Sequence, residues 1–421
     1  MKITALNGFK DILPVDVALW HLVESTARQV FSRFQFAEIR LPILEKTELF
    51  ARSIGEATDI VEKEMYTFKD KGVTMRPEAT ASLIRAYIEH GLYVQRPVQK
   101  LFTTGPMFRH ERPQLGRLRQ FHQLNVEVLG AENPRLDAEI MAMGAMLLTE
   151  LGLSVSLEMN SLGCPRCRPA YRQQLLTFLE RRLDSLCDDC RRRSTTNPLR
   201  ALDCKKPSCR EQVALAPSII DHLCADCADH FQAVRAGLER MGVAYSLNKF
   251  MVRGLDYYCR TTFEFITGDL GAQAAVGGGG RYDGLVEQLG GPKNTPGIGF
   301  AIGIERLVLL LQQQQGDPAR RADELDIFLA GLGRAAADFC FDLAHELRKK
   351  GQRVGLDYEG RSLKSQMKQA DRAGATHVLI VGDDELAVQE GTLRNMTTQE
   401  QVAVPLATEK IIAALTGHGV G

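Results

Sequence analysis

The segment Pro106–Gly130, PMFRHERPQLGRLRQFHQLNVEVLG, holds the densest set of side chains suited to ligand chemistry. Read as a strand, its second half sorts them by face. Leu124, Val126 and Val128 point one way, and Phe121, Gln123, Asn125 and Glu127 point the other. Arg109 and Glu111, two apart on the preceding strand, share a face, and the loop after them carries Arg117. A hairpin built this way presents guanidinium, carboxylate, amide and aromatic groups on one surface. That set suits an anionic ligand with a planar ring, because Arg forks onto phosphate, the aromatic stacks and carboxylates accept from amines. The same spacing also describes an amphipathic hairpin with a solvated charged face, and spacing alone leaves both readings open.

The second chemical feature is sulfur. Eight of the ten cysteines fall between Cys164 and Cys227 as close pairs: Cys164/Cys167, Cys187/Cys190, Cys204/Cys209 and Cys224/Cys227. Nineteen residues separate the first two pairs, within the roughly 15–20-residue separation of zinc motifs. The four pairs suffice for two tetrahedral thiolate sites, with three pairings open. Structural zinc that staples this stretch without a catalytic part is the expectation, and free thiols are the alternative. Other signatures are missing. There is no GxxxxGK[ST], HExxH or GxSxG, and the run Gly297–Gly303 misses the dinucleotide spacing and follows Pro296.

The elements that must position these groups follow from periodicity. A chain of 421 residues implies roughly two or three domains. Lys+Arg and Asp+Glu are both 52, which excludes a uniformly basic nucleic-acid coat but not a local basic patch. No apolar run reaches the ~18 residues of a membrane span. The start MKITALNGFKDILP lacks an apolar signal region, so the cytoplasm is the expected location. Leu19, Leu22, Val23, Ala27, Val30, Phe31 and Phe34 recur at helical spacing and predict a helix over Val15–Phe34. Strands are expected over Phe36–Leu41, Met65–Phe68, Val98–Thr104, Pro106–Glu111, Arg119–Leu129, Val155–Met159, Phe250–Arg253 and Thr261–Ile266, with a helix over Ala79–Glu89. Strands following strands predict an α+β domain with a mostly antiparallel sheet flanked by helices. Its expected bounds are 1–160 and 241–315, interrupted by a helical, Cys-rich insertion over 161–240. A polar linker over 316–324 precedes a strand–helix alternation over 325–421, which predicts a separate small α/β domain.

Longer motifs decide what spacing leaves open. Pro42 in RLPILEKTELF, MFRHERPQLGRLRQFHQ, and GIGFAIGIERLVLLL with Arg306 resemble, in order, the three motifs of class II aminoacyl-tRNA synthetases. MVRGLDYYCRTTFEF, AAVGGGGRYDGL and RPEATAS, with Arg76, Glu78 and Thr80, are similar to peptides peculiar to the histidyl-tRNA synthetase family. The resemblance spans nearly the whole chain. It implies that histidine is activated by ATP with Mg²⁺ and then transferred to tRNA(His), by a homodimer whose C-terminal domain binds the anticodon. It implies catalytic roles for Arg109, Arg253 and Arg306. Histidine contacts would come from Glu78, Thr80, Gln123, Glu127, Arg253, Tyr257 and Tyr258. ATP contacts would come from Arg109, Glu111, Arg117, Phe121 and Arg306. Gly277–Gly280 would let backbone approach the amino acid closely.

Two departures stand out: Ala79 follows Glu78 where the family often has Gly, and many relatives lack the cysteines. Residues 322–421 hold 11 Lys/Arg against 15 Asp/Glu, so the C-terminal domain is not basic overall. A local cluster, Arg348, Lys349, Lys350, Arg353, Arg361, Lys364, Lys368 and Arg372, offers a backbone-contacting patch. Arg191, Arg192, Arg193, Lys205 and Lys206 in the insertion are candidates for the acceptor arm. Two other classes compete. A non-catalytic paralogue serving as regulatory subunit of ATP phosphoribosyltransferase would usually lack the last domain and erode Arg253. A zinc-ribbon binding module would leave the polar hairpin face without purpose.

Overall fold

Alternation along Phe121–Val128 is realised in the strand Gln120–Leu129, which a computed structural model of the protein pairs antiparallel with Gln99–Phe108. Residues 2–55, 58, 60–204, 206–252, 255, 257–268, 275–315 and 325–416 are described. The chain divides into two units, one of Met1–Leu13 with Leu19–Gln315 and one of Pro14–Ala18 with Gly316–Gly421.

The larger unit is built on an eight-stranded sheet. Its order is Ala37–Glu38, Gln99–Phe108, Gln120–Leu129, Gly297–Gly303, Ala275–Arg281, Cys259–Ile266, Ser156–Ser161, Tyr245–Leu247. The interior pairings are antiparallel and the two edge pairings are parallel. Leu124, Val126 and Val128 pack with Ile298, Phe300 and Ile302 against the helices Pro14–Arg33, Pro134–Glu150 and Ile304–Gln315. This alternation leaves the opposite face of the same strands free to carry polar groups. A buried network pins one end of the sheet to that helical layer. Arg281 Nε donates to both oxygens of Asp137 at 2.9 and 3.0 Å, and His230 Nε2 lies 2.9 Å from Asp137.

Several expected boundaries shift. Val98–Thr104 and Pro106–Glu111 are one strand, ending at Phe108, with Pro106 in register opposite His122. Buried Arg76 lies across it and donates from Nε to the Pro106 carbonyl at 2.9 Å. A Cβ on Gly105 would lie 2.7 Å from the Arg76 guanidinium, so glycine admits the crossing. Phe250–Val252 form no strand, because Met251 closes a turn onto the Asn248 carbonyl at 3.0 Å. Phe36–Leu41 shortens to Ala37–Glu38.

Between Ser156–Ser161 and Tyr245–Leu247 runs the Cys-rich helical stretch, with helices Arg168–Glu180, Asp188–Thr196, Pro207–Val213 and Ala225–Arg240. The smaller unit has a five-stranded sheet ordered Val354–Leu356, Ile327–Gly331, His377–Val381, Glu390–Asn395, Gln401–Pro405. The first three strands are parallel and the last two antiparallel, around a core of Ile327, Leu329, Leu343, Leu347 and Val381.

Candidate active site

The polar face of the central strands lines a cavity of about 290 Å³. Registry explains its floor. Gln123, Asn125 and Glu127 lie opposite Gly303, Ala301 and Gly299, and Ala301 lies opposite Gly278. The two strands on this side thus offer almost no side chain on this face, and long polar groups from Gln120–Leu129 extend over bare backbone. The fit is close: a Cβ on Gly299 would sit 1.7 Å from Glu127 Oε2. The glycine run 277–280 lies within the strand Ala275–Arg281. A Cβ at Gly279 would lie 1.9 Å from the Gly299 carbonyl, so approach of the neighbouring strand also demands glycine.

One end of the cavity is a buried carboxylate pair. Glu78 caps the helix Thr80–Glu89, accepting from the Thr80 and Ala81 N–H groups at 2.7 and 2.8 Å. Ala79 between them has φ −102°, so the backbone here does not need the glycine common in the family. Glu127 accepts from Thr80 Oγ1 at 2.6 Å and from the Tyr282 hydroxyl. Burial pushes its carboxyl up to about 8, and burial also raises Glu78. Gln123 Oε1 and Asn125 Oδ1 are buried and accept no hydrogen bond among the described residues. Such oxygens call for a ligand donor. Tyr257 and Tyr258 close this end. They lie outside any strand, so both face the cavity instead of alternating, with ring centroids 4.6 Å apart.

The other end is cationic. Arg109 donates from Nε to the Pro77 carbonyl at 2.8 Å and lies 5.3 Å from the Phe121 ring centroid. Arg117 pairs with Glu111 at 2.5 Å. Arg306 donates to the Gly116 carbonyl at 3.1 Å and to that of Ala275. Burial, together with Arg117 and Arg109, pulls Arg306 below its ordinary value. Three mutually repelling guanidiniums held at one end make a site for a polyanion, with Phe121 as its aromatic neighbour.

All the residues expected to carry chemistry line this cavity except Arg253, which lies outside the described residues. Sequence reasoning assigned no role to Asn125, Glu264, Glu305 or Tyr282. Glu264 shares the floor, opposite Gly278. Glu305 fixes His122, accepting from its backbone N–H at 2.9 Å and lying 3.0 Å from its Nδ1. Nothing in spacing links Tyr282 to Glu127, which are 155 positions apart. Asn125 had been visible on the polar face. The cysteines gather elsewhere in this unit as two quartets, Cys164, Cys167, Cys224 and Cys227, and Cys187, Cys190, Cys204 and Cys209.

Comparison with known proteins agrees with this geometry. The histidyl-tRNA synthetase family profile matches residues 8–307, and an anticodon-binding-domain profile matches 326–415. The histidine–tRNA ligase of Desulfotalea psychrophila is 65% identical over 415 residues, covering 99% of this chain and 96% of its own. That of Geobacter sulfurreducens is 58% identical, covering 98% and 100%. The apo histidyl-tRNA synthetase of S. aureus superposes with a TM-score of 0.80 at 37% identity, covering 99% of each chain.

Proposed function

This chain belongs to the histidyl-tRNA synthetase family, and from that premise we propose how its cavity divides the family's reaction among named residues. The reaction is ATP-dependent attachment of histidine to its tRNA through histidyl-adenylate. A histidine carboxylate oxygen attacks the α-phosphorus, the bond to pyrophosphate breaks, and AMP leaves when the tRNA's terminal hydroxyl attacks the activated carbonyl. The observation that carries the residue assignments is the juxtaposition of the buried Glu78–Glu127 end with the Arg109–Arg117–Arg306 end in one cavity.

Attack on the α-phosphate builds negative charge on its oxygens, so fixed cations there contribute most. Arg109 takes the α-phosphate, held in place by the Pro77 carbonyl. Arg306 spans adenine and the terminal phosphate, Phe121 stacks on adenine from the other side, and Glu111 accepts from the adenine amine. Arg117 supports the phosphate tail. By family resemblance Arg253 bridges the histidine carboxylate and the α-phosphate. The donor set also suits Mg²⁺, since the hard carboxylate oxygens of Glu264 and Glu305 line the cavity and substrate phosphates with water would complete the shell. That ion would neutralise charge on the departing pyrophosphate.

Histidine needs partners for an ammonium and two ring nitrogens. Glu127, neutral near pH 7 while no ligand cation lies beside it, ionises as the ammonium or imidazolium arrives. Gln123 supplies its unpartnered oxygen, Glu78 and Thr80 lie beside it, and the Tyr257 and Tyr258 walls exclude water. An apolar amino acid of similar shape would leave these groups unpaired, which disfavours it by roughly 10⁴-fold.

The anticodon-binding domain presents Lys364, Lys368 and Arg372 at i, i+4, i+8 on the exposed side of helix Leu363–Arg372, a backbone-contacting patch for tRNA. Arg191, Arg192 and Arg193 on helix Asp188–Thr196, with Lys206 beyond it, face the acceptor arm in this reading; Lys205 lies outside the described residues. Homodimerisation through the Pro42 motif is part of the same proposal, supported by the exposed apolar chains Ile43, Leu44 and Phe68. So are a cytoplasmic location, supported by the lack of any described helix long and apolar enough to cross a membrane, and structural zinc on the cysteines. Histidine-dependent ATP–pyrophosphate exchange on the purified protein, with other amino acids as controls, tests the reading. Exchange with histidine alone supports it. No exchange from folded protein would favour the regulatory paralogue.

A further inference from the structure

The two cysteine quartets differ in what surrounds them. In each, all four sulfurs lie within 4.8 Å of one another. Measured separations are 3.5 Å for Cys164–Cys167, 3.8 Å for Cys164–Cys224, 3.7 Å for Cys167–Cys224 and Cys167–Cys227, and 3.9 Å for Cys187–Cys204. A disulfide would bring two sulfurs to about 2.0 Å. Tetrahedral zinc with bonds of about 2.3 Å sets sulfur–sulfur edges of about 3.8 Å. Backbone N–H groups of Cys164 and Cys187 donate to the sulfurs of Cys167 and Cys209, each at 3.2 Å, as outer-shell support for thiolates. The outer two pairs join each other and the inner two join each other, which settles the pairing that spacing left open.

We propose that the chain holds two structural zinc ions of unequal consequence. The outer ion positions the Tyr257–Tyr258 wall of the cavity, and the inner ion takes the place of hydrophobic packing in the insertion. The inner site belongs to helix Asp188–Thr196, DDCRRRSTT, which has no large apolar side chain. Cys190 and Ser194 are its buried residues among those described. Cys190 and Cys209 complete a small core around Tyr171, Leu175 and Leu179. An insertion of about 80 residues rarely buries enough apolar surface to fix such a helix without a staple.

The outer site instead abuts the cavity's support. Gly163, one residue before Cys164, has φ +62°, and a Cβ there would lie 3.0 Å from Cys167 Sγ. Its carbonyl accepts from Arg260 N at 2.8 Å, while Leu162 N donates to the Arg260 carbonyl at 2.7 Å. Arg168, one residue after Cys167, donates to the Leu162 carbonyl at 3.0 Å and to the Tyr258 carbonyl. A metal that fixes Cys164 and Cys167 against Cys224 and Cys227 therefore fixes the two residues that grip the Tyr257–Arg260 segment. This positioning half rests on the histidine assignment of the cavity.

The test is metal analysis of the purified full chain, then of two double variants. Two zinc ions per chain are expected, and cobalt-substituted protein should show thiolate charge-transfer absorption. C187S/C204S should retain one zinc, unfold at lower temperature, and keep its histidine KM within about threefold. C224S/C227S should also retain one zinc but raise the histidine KM about tenfold or more with the ATP KM little changed. If that variant does not fold, Cys224→His, which keeps a nitrogen ligand, should alter the cobalt spectrum and raise the histidine KM. Absent or substoichiometric metal, iron in place of zinc, or equal KM changes in the two double variants would each overturn the proposal. Metal content is read without turnover. Two zinc ions in a protein inert to histidine would overturn the cavity assignment and the positioning half with it, whereas an active metal-free protein would overturn the zinc sites alone.

Discussion

Glu127→Gln probes the cavity through folding stability, independently of any substrate. The folded carboxyl holds its proton up to about 8 because burial penalises the anion, whereas an unfolded glutamate releases it near about 4.3. Between those values the folded state binds the extra proton. Its contribution is therefore full below about 4.3 and falls as pH rises through the folded value, by about 1.4 kcal/mol per pH unit. Glutamine does not titrate. At low pH the variant should differ by no more than about 1 kcal/mol, because a protonated carboxyl, like an amide, offers Thr80 Oγ1 and the Tyr282 hydroxyl one carbonyl acceptor and one donor group. From pH 6 to pH 8 the difference should move in the variant's favour by about 2 kcal/mol, the slope flattening near the folded value. The assay is urea unfolding followed by fluorescence of Trp20. It is the only tryptophan in the chain, buried in the larger unit and edge-on to His122 at 4.9 Å. A difference that stays constant from pH 6 to pH 8 would refute the buried, neutral carboxyl, and with it the idea that histidine binding ionises Glu127.

Arg109→Ala should lower the rate of histidine-dependent pyrophosphate exchange about 10²–10³-fold while calorimetric histidine affinity changes little; a parallel loss of affinity would move Arg109 out of its α-phosphate role. Gly299→Ala places a Cβ where Glu127 Oε2 lies, so the histidine KM should rise about tenfold or more, and unchanged exchange kinetics would refute the fit. Asp137→Asn removes one of the two carboxylates that pair with buried Arg281, Asp283 Oδ1 remaining at 2.9 Å, and should destabilise the larger unit by about 1–3 kcal/mol in urea. Burial opposes ionisation of Asp137, but His230 and Arg281 hold its carboxyl below the ordinary value. Its contribution is therefore present above about 3.9 and is lost as pH falls through the folded value, so acid unfolding of the wild type should lose this component in the variant.

The alternation of Leu124, Val126 and Val128 with Gln123, Asn125 and Glu127 was legible from the chain alone, and it placed one row in the core and the other in the cavity. A strand's two faces are set by covalent geometry, so period two survives whatever the strand packs against. The helix Pro14–Arg33 followed from spacing for the same local reason. The motif order carried the cavity residues because each motif is contiguous. Tertiary structure decided what depends on long-range approach. The Tyr282–Glu127 bond joins distant strands, the cysteines nest outer pair with outer and inner with inner, and Tyr257 and Tyr258 turn the same way because their segment is a loop gripped by Arg168. Close backbone approach was expected of the glycines at 277–280, but that no Cβ fits at 279 or at 299 emerged only where the strands closed. Residues far apart in sequence meet only where the whole sheet has registered, and no window of local spacing contains that registry.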